Sequence, residues 1–132
     1  MNDKDDVMPI PASWSPKLLA VLRIVAGLGF LHHGTSKFFG IPPFPMTLNG
    51  LMTVAGVLEL VGGALIVIGF MTRPVAFVLA GMSAVAYFMV HAPKSIFPSV
   101  NGGEPVMLYC FIFLYLAAAG AGAWSVDGRG RR

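Results

Sequence analysis

Residues 18–39 read LLAVLRIVAGLGFLHHGTSKFF, an apolar run whose only charged side chains are Arg23 and Lys37. A helix of about 20 mostly apolar residues is long enough to cross the hydrocarbon core of a bilayer. The polar residues of this run are concentrated in its last third, where His32 and His33 are adjacent. The run therefore predicts a membrane helix, and it leaves open whether its polar end is a loop or part of a site.

The rest of the sequence repeats this apolar pattern. Of the 132 residues, 56% are hydrophobic and 11% are charged, whereas about 25% of the residues of an ordinary soluble domain are charged. Three further apolar stretches, at residues 51–70, 74–90 and 105–123, approach the length of a membrane helix. The sequence therefore predicts an all-α integral membrane protein in which four transmembrane helices form a bundle.

The positive charges indicate how the four predicted spans are oriented. With four spans, both termini and the turn after the second span lie on one side of the membrane. That side holds Lys4, Lys17, Arg73, Arg129, Arg131 and Arg132, and the other side holds Lys37 and Lys94. Because cytoplasmic segments are enriched in lysine and arginine, we expect both termini in the cytoplasm, with Trp14 and Trp124 at the cytoplasmic interface.

This orientation gives a simple domain organisation. The first residues, MNDKDDVMPIPASW, are acidic rather than basic, so a cleaved signal peptide is not indicated. We expect a short N-terminal cytoplasmic segment at 1–16, a four-helix membrane domain at 17–124 and a basic C-terminal cytoplasmic tail at 125–132. Cys110 is the only cysteine, which excludes an internal disulfide.

Glu59 lies near the middle of the second predicted span. A carboxylate there costs roughly 3 kcal/mol, so Glu59 should face the bundle interior and have a partner or be protonated. Helical side chains lean toward the N-terminus of their own helix, so Arg23 leans away from Glu59. Two alternatives are open for Arg23: it pairs with Glu59 despite this direction, or its side chain extends to the lipid headgroups. His33 and Lys37 lean toward Glu59. We therefore predict a contact between Glu59 and His33, with Lys37 above them and His32 turned elsewhere.

Further polar residues are expected at the same outer level of the bundle. The candidate catalytic residues are Glu59, His33 and Lys37. The candidate ligand-binding residues are His91, Asn101, Glu104 and Tyr109, and the candidate structural polar residues are Arg23 and Arg73. The aromatic side chains Phe30, Phe38, Phe39 and Tyr109 could flank a flat ring, although such residues also form interfacial belts. His33, His91 and Glu104 lack the tight spacing of a metal motif, so no metal or haem is predicted.

The segments that carry these residues resemble a known family. LRIVAGLGFLHHGTSKFFG, GVLELVGGALIVIGFMTRPVA, AYFMVHAPKSIFP and NGGEPVMLYCFIFLYLAAAGAGAWSVD are similar, in this order, to the DoxX family of small bacterial inner-membrane proteins. The resemblance implies a four-helix bundle in the inner membrane and electron transfer that involves quinone. The member that names the family is similar to a subunit of a thiosulfate:quinone oxidoreductase, and other members are linked to thiol and oxidative-stress handling beside partner enzymes.

Two classes of function remain open at this point. The first is a quinone-linked redox protein or subunit, in which a buried acid, a histidine and a lysine supply protons to the reduced ring. The second is a non-enzymatic membrane scaffold for a redox enzyme, or a small-molecule carrier. The expected partners are the lipid bilayer, a redox enzyme and further copies of the chain. Nucleic-acid binding is not expected, because membrane topology and attraction to anionic lipid account for the basic C-terminus.

Overall fold

The structure, a computed structural model, describes residues 9–131. Its helices are α1 (Ser15–Phe39), α2 (Gly50–Ile68), α3 (Thr72–His91), α4 (Pro98–Asn101) and α5 (Glu104–Ala119), and short 3₁₀ turns span Ala12–Trp14 and Asp127–Arg131. No strand occurs between residues 9 and 131. Residues 1–8 and 132 lie outside the described part, so the predicted placement of Lys4 and Arg132 is not described.

Local sequence explains where the first two long helices begin and end. Pro16 lies in the first turn of α1, where its missing N–H costs nothing, and α1 ends at Gly40, whose φ is 67°. Asn49 caps α2, because its side-chain oxygen accepts a hydrogen bond from the backbone N–H of Met52 at 2.8 Å. Helix α2 ends at Gly69, whose φ is 71°. The first three predicted spans therefore match helices to within three residues at each end.

Consecutive long helices run in opposite directions. Gly27 and Gly34 of α1 face Val67 and Leu60 of α2, so the two helices run in opposite directions. Helix α3 packs extensively on α5, and the core between the helices includes Phe30, Ile66, Leu79, Phe113 and Leu116. This arrangement is an up-and-down helical bundle.

The outer surface of the bundle is apolar. Val25, Phe77 and Phe111, which lie on three different helices, are between 62% and 66% exposed. Helices α1, α2 and α3 are long and apolar enough to cross a membrane, whereas α5 has 16 residues and is shorter than those three. An apolar exterior around a thin core is the pattern of a membrane-embedded helical bundle, since the exterior contacts lipid rather than water.

Glycines bring α1 and α2 into close contact. A Cβ atom on Gly34 would lie 2.6 Å from the backbone nitrogen of Leu60, and one on Gly63 would lie 2.6 Å from the backbone nitrogen of Leu31. Both distances are shorter than real Cβ contacts, so the two backbones approach as closely as they do only because these positions lack side chains. This close approach fixes the level at which polar residues of α1 meet polar residues of α2.

We expect Gly34→Ala to destabilise the bundle, because the added methyl group meets the rigid backbone of Leu60. Overpacking of this kind typically costs about 1–3 kcal/mol. The matched control is Gly81→Ala in α3, where an added Cβ meets nothing within 4 Å; this change should be neutral or stabilise by about 0.5–1 kcal/mol. Thermal unfolding of both variants in the same detergent, followed by circular dichroism, tests the difference. Equal unfolding temperatures for the two variants would show that the interface relaxes without cost.

The C-terminal segment differs from its prediction. The fourth span was predicted to run to residue 123, but α5 ends at Ala119, because Gly120 and Gly122 have φ angles of 87° and 73° that do not continue a helix. Residues 120–128 instead fold across one end of the bundle. Backbone N–H groups of Ala123, Val126 and Asp127 donate to carbonyl groups of α1 and of the end of α2 at 2.9–3.1 Å. Part of the predicted tail is therefore bound to the bundle.

The two ends of the bundle carry different elements. The terminal end is the end where α1 and α3 begin and α2 and α5 finish, and it carries residues 120–128. The loop end is the opposite end, where α1 and α3 finish and α2 begins.

Candidate functional site

Glu59 lies in an irregular turn of α2. Residues Leu58–Gly62 form a π-helical turn between two α-helical segments. Single π turns of this kind are rare in proteins, and a large share of those that occur lie at functional sites. The Glu59 side chain is buried, with a relative exposure of 5% for the residue. The prediction that Glu59 faces the bundle interior is confirmed.

The partner of Glu59 is Lys37. The Lys37 ammonium group donates to both carboxylate oxygens, at 2.8 Å to Oε1 and 3.0 Å to Oε2. Lys37 is in the last turn of α1, and its stem passes over Gly56 of α2, where a Cβ atom would lie 3.2 Å from its Cδ. Gly56 therefore makes room for the side chain that reaches Glu59. The result is a largely buried ion pair that joins α1 to α2, with one ammonium nitrogen in contact with both carboxylate oxygens.

Aromatic rings lie beside this ion pair. The ring centroid of Phe44, in the loop between α1 and α2, is 5.4 Å from the Lys37 ammonium nitrogen, within range of a cation–π contact. The Phe38 ring lies against Gly56, 2.8 Å from the position that a Cβ atom would take. The Thr35 hydroxyl donates to the Ile41 carbonyl at 2.6 Å and holds the start of this loop against α1. The ion pair is thus covered on the loop-end side by a ring.

The predicted contact between Glu59 and His33 is wrong. The His33 side chain is exposed and makes no hydrogen bond within residues 9–131, and its ring lies 4.4 Å from the ring of His32, which is also exposed. The face of α1 that meets α2 is centred on Gly34, and the preceding residue is rotated from that face by about 100°. Lys37 lies near the same face of α1 as Gly34, one turn farther along, and its long side chain extends from there to the Glu59 carboxylate.

A second polar cluster surrounds Asn101. Its amide nitrogen donates to the Tyr87 hydroxyl at 3.1 Å and to the Ser95 carbonyl at 3.0 Å, and its side-chain oxygen accepts from the Gly103 N–H at 2.7 Å. The Asn101 carbonyl lies 3.0 Å from Nδ1 of His91. Tyr87 and His91 are the two ends of another π-helical turn, at the end of α3.

The structure therefore brings together two of the four predicted ligand-binding residues, His91 and Asn101. It does not add the other two to that cluster. Glu104 is exposed at the start of α5. Tyr109 is partly buried and packs against the core, with its ring centroid 5.0 Å from that of Phe30 and 6.0 Å from that of Phe113. Sequence reasoning missed Tyr87, which reads as one more aromatic residue in an apolar run, and it missed Phe44.

The other predicted roles have mixed outcomes. Within residues 9–131, no three histidine, cysteine, aspartate or glutamate side chains come together as a metal site, so His33, His91 and Glu104 do not form a common ligand set. Of the aromatic residues proposed to flank a ring, Phe30 is in the core and Phe39 is 64% exposed. Arg73 donates from Nε to the Ala117 carbonyl at 2.9 Å and links α3 to α5.

Arg23 makes the most extensive polar contacts of the terminal end. Two alternatives were predicted for Arg23: an ion pair with Glu59, or a side chain that extends to the lipid headgroups. Both are wrong, because Arg23 is fully buried and its guanidinium group binds backbone carbonyls. Two of these carbonyls are at the end of α2: Nε donates to that of Ile66 at 3.0 Å and Nη2 to that of Val67 at 3.4 Å. The other three are in the C-terminal segment: Nη2 donates to the carbonyl of Trp124 at 2.8 Å, and Nη1 donates to that of Ala123 at 3.0 Å and to that of Ala121.

Comparison with known proteins places this architecture in a family. The DoxX family profile matches residues 18–92, a range that contains both Lys37 and Glu59. An uncharacterized protein of Haemophilus influenzae is 40% identical over 127 residues, and the match covers 88% of this chain and 92% of the relative. No solved structure matches. The chain, a multi-pass helical membrane protein with a buried lysine–glutamate pair between its first two helices, belongs to the DoxX family.

Proposed function

We propose that this protein is a four-span protein of the bacterial inner membrane that binds a quinone beside Lys37 and Glu59 and takes part in its reduction. The observation that carries the proposal is the buried ion pair between α1 and α2. The electrons come from a donor outside the chain, either a reduced substrate or a redox enzyme partner. The Lys37–Glu59 pair supplies the polar contacts and the path for protons.

The proposed topology rests on the distribution of charge between the two ends of the bundle. Lys17, Arg73 and Arg129 lie toward the terminal end, and Lys37 and Lys94 lie toward the loop end. This bias supports a cytoplasmic location for both termini. The ion pair then lies toward the outer face. Helix α5 runs antiparallel to α3, and it serves as the fourth and shortest span of the bundle.

The energetics of the ion pair favour a functional role. Two charges buried in a low-dielectric interior gain less from each other than they lose in hydration, and apolar residues of similar volume are often as stabilising. The side chains of Lys37 and Glu59 are 13% and 6% exposed. An ionisable pair inside a membrane bundle is expected to mark a substrate or proton pathway.

The residues around the pair fit a quinone. A quinone accepts two electrons and two protons when it is reduced to the quinol. The Lys37 ammonium group has three N–H donors, and it can hydrogen-bond a ring carbonyl while still contacting Glu59. The Glu59 carboxylate can take up a proton from the exposed imidazole groups nearby and pass it to the reduced ring. The Phe44 ring, whose centroid is 5.4 Å from the Lys37 ammonium nitrogen, provides an aromatic face for the quinone ring.

An apolar groove supports a lipid-soluble ligand in particular. The groove, about 310 Å³ in volume, lies between α2 and α3. It begins at Val57 and Leu58, next to Glu59 in the sequence, and continues past Val61 and Leu65 toward Met71. Its surface is almost entirely hydrocarbon. An isoprenoid tail in this groove would place the attached ring near the turn that carries Glu59.

The test compares quinone binding by variants that carry the same chemical change at different places. In detergent, Glu59→Gln should weaken the binding of a quinone analogue at least tenfold, or by about 1.4 kcal/mol, because one charge of the site is lost. The matched control is Glu104→Gln, since Glu104 is exposed. Its affinity should remain within about twofold of the wild type.

Two outcomes would contradict the proposal. Absence of saturable quinone binding by the wild-type protein would exclude a quinone site. Equal losses in Glu59→Gln and Glu104→Gln would show that the buried carboxylate is not part of the binding site. A redox enzyme that co-purifies with the wild type and with both variants, without quinone binding, would instead support a scaffold.

A further inference from the structure

A wide cleft opens at the terminal end, far along the helices from the Lys37–Glu59 pair. Its volume is about 1110 Å³, slightly above the range for small-molecule sites, roughly 300–1,000 Å³. The walls are the first turns of α1 and α3 and the last turn of α5, and residues 120–128 contribute the remainder. At this end α3 is joined to α5 by the hydrogen bond from Arg73 to the Ala117 carbonyl. Helix α1 is joined instead to the C-terminal segment, by the hydrogen bond from the Ala123 N–H to the Pro16 carbonyl. The cleft lies between these two groups of elements.

One wall of the cleft is apolar and continuous with the lipid-facing surface. Leu18 and Leu22 of α1 and Tyr115 of α5 line it, and their exposed fractions are 44%, 37% and 59%. Side chains with this exposure on a membrane helix contact acyl chains. A hydrocarbon chain can therefore enter the cleft from the bilayer without crossing a polar barrier.

The other side of the cleft is polar and carries a positive charge. Arg73 is exposed there; its Nε is bound to the Ala117 carbonyl, and its two terminal nitrogens make no hydrogen bond within residues 9–131. Asp127 also lines the cleft, but its two carboxylate oxygens accept hydrogen bonds from the N–H groups of Met71 and Thr72. These two N–H groups at the start of α3 offset part of the negative charge of Asp127.

A buried hydroxyl group lies at the same place. Thr72 lines the cleft, is 1% exposed, and its Oγ1 has no hydrogen-bond partner among the described residues. A buried polar atom without a partner is unusual and calls for an explanation such as a bound group. Thr72 and Arg73 are adjacent in the sequence, so a hydroxyl donor and a guanidinium group line one side of the cleft.

We propose that this cleft binds one anionic phospholipid, with its phosphate at Arg73 and Thr72 and an acyl chain along Leu18, Leu22 and Tyr115. A guanidinium group binds phosphate oxygens through paired, charge-assisted hydrogen bonds. The cleft lies where helices α1 and α3 begin, which is the level of the lipid headgroups in a spanning bundle. Basic pockets between membrane helices at this level are suited to anionic headgroups.

The experiment measures lipid binding by native mass spectrometry of the full chain in a non-ionic detergent. Phosphatidylglycerol and phosphatidylcholine of the same chain length are added in equal amounts. The wild-type protein should retain one phosphatidylglycerol in preference to phosphatidylcholine. Arg73→Gln should lower the affinity for phosphatidylglycerol about tenfold, because a charged hydrogen-bonding partner is lost. Lys94→Gln also removes one positive charge, at an exposed position of the loop end, and should leave the affinity unchanged.

A second variant tests the cleft without changing its charge. Ala119 lines the cleft and is exposed, so Ala119→Phe should fill part of the cleft with little effect on folding. It should also lower the affinity for phosphatidylglycerol, while its unfolding temperature stays close to that of the wild type. Inorganic phosphate alone should bind much more weakly than the lipid, because it makes no contact with the apolar wall.

Several results would overturn the proposal. Equal losses in Arg73→Gln and Lys94→Gln would indicate non-specific lipid around the bundle. Equal retention of phosphatidylcholine would exclude recognition of the anionic headgroup, and phosphate that binds as tightly as the lipid would exclude a role for the acyl chain. A lipid-free dimer that Ala119→Phe dissociates would show that a second copy of the chain occupies the cleft instead.

Discussion

Arg23→Met should cost most of the stability of the bundle. Methionine fills similar space but donates no hydrogen bond, so four carbonyl groups, those of Val67, Ala121, Ala123 and Trp124, would lose the donor that Arg23 provides. The Ile66 carbonyl would keep the N–H of Gly69. Each buried polar group left without a partner costs about 1–3 kcal/mol. The sum is comparable with the total stability of a typical domain, about 5–15 kcal/mol. We expect little monodisperse protein after purification and a large fall in the unfolding temperature of what remains.

Two further variants isolate the cause of this loss. Arg73→Met removes an arginine that is exposed and binds one carbonyl, so its cost should be only about 1 kcal/mol. Arg23→Lys keeps the charge but not the planar group with five donors, and its stability should be intermediate. If Arg23→Met unfolded at the wild-type temperature, the C-terminal segment would have to be held in place by contacts that do not involve Arg23.

The role of Arg23 shows which part of the fold could not be predicted from the sequence. The helices follow from apolar length and from Gly40 and Gly69, which are local features. The partners of Arg23 are 43 to 101 residues away in the chain. Three of them lie in residues 121–124, which the sequence predicts to be the end of the fourth span and an interfacial tryptophan. Backbone carbonyls carry no side-chain pattern, so a sequence gives no indication of which ones an arginine will bind.

The Lys37–Glu59 pair shows a different limit. The cost of a buried carboxylate correctly predicted that Glu59 would face the interior with a partner, and side-chain direction correctly selected the last turns of α1. Choosing between His33 and Lys37 required the rotation of α1 about its axis, which is set by Gly34 against Leu60. The π-helical turn at Leu58–Gly62 also shifts the rotational phase of α2 relative to an ideal helix, and no residue in that turn indicates it.

Breaking the ion pair from one side should be far more costly than removing it entirely. In Lys37→Met the Glu59 carboxylate stays buried without its partner, and in Glu59→Met the Lys37 ammonium group does. Either single change should destabilise the bundle by about 3–5 kcal/mol. The double variant Lys37→Met/Glu59→Met leaves no unpaired charge, and its stability should return to within about 1–2 kcal/mol of the wild type. Unfolding temperatures of the four proteins in one detergent give the coupling energy directly.

The double variant also separates a structural role of the pair from a functional one. If the pair serves only to join α1 to α2, the two single variants should lose stability, whereas the folded double variant should keep the quinone affinity of the wild type. If the pair is a ligand site, the double variant should fold normally and lose saturable quinone binding. A folded double variant that still binds quinone with wild-type affinity would place the ligand elsewhere in the bundle. Stability and binding measured on the same protein therefore assign the role of the two charges independently of each other.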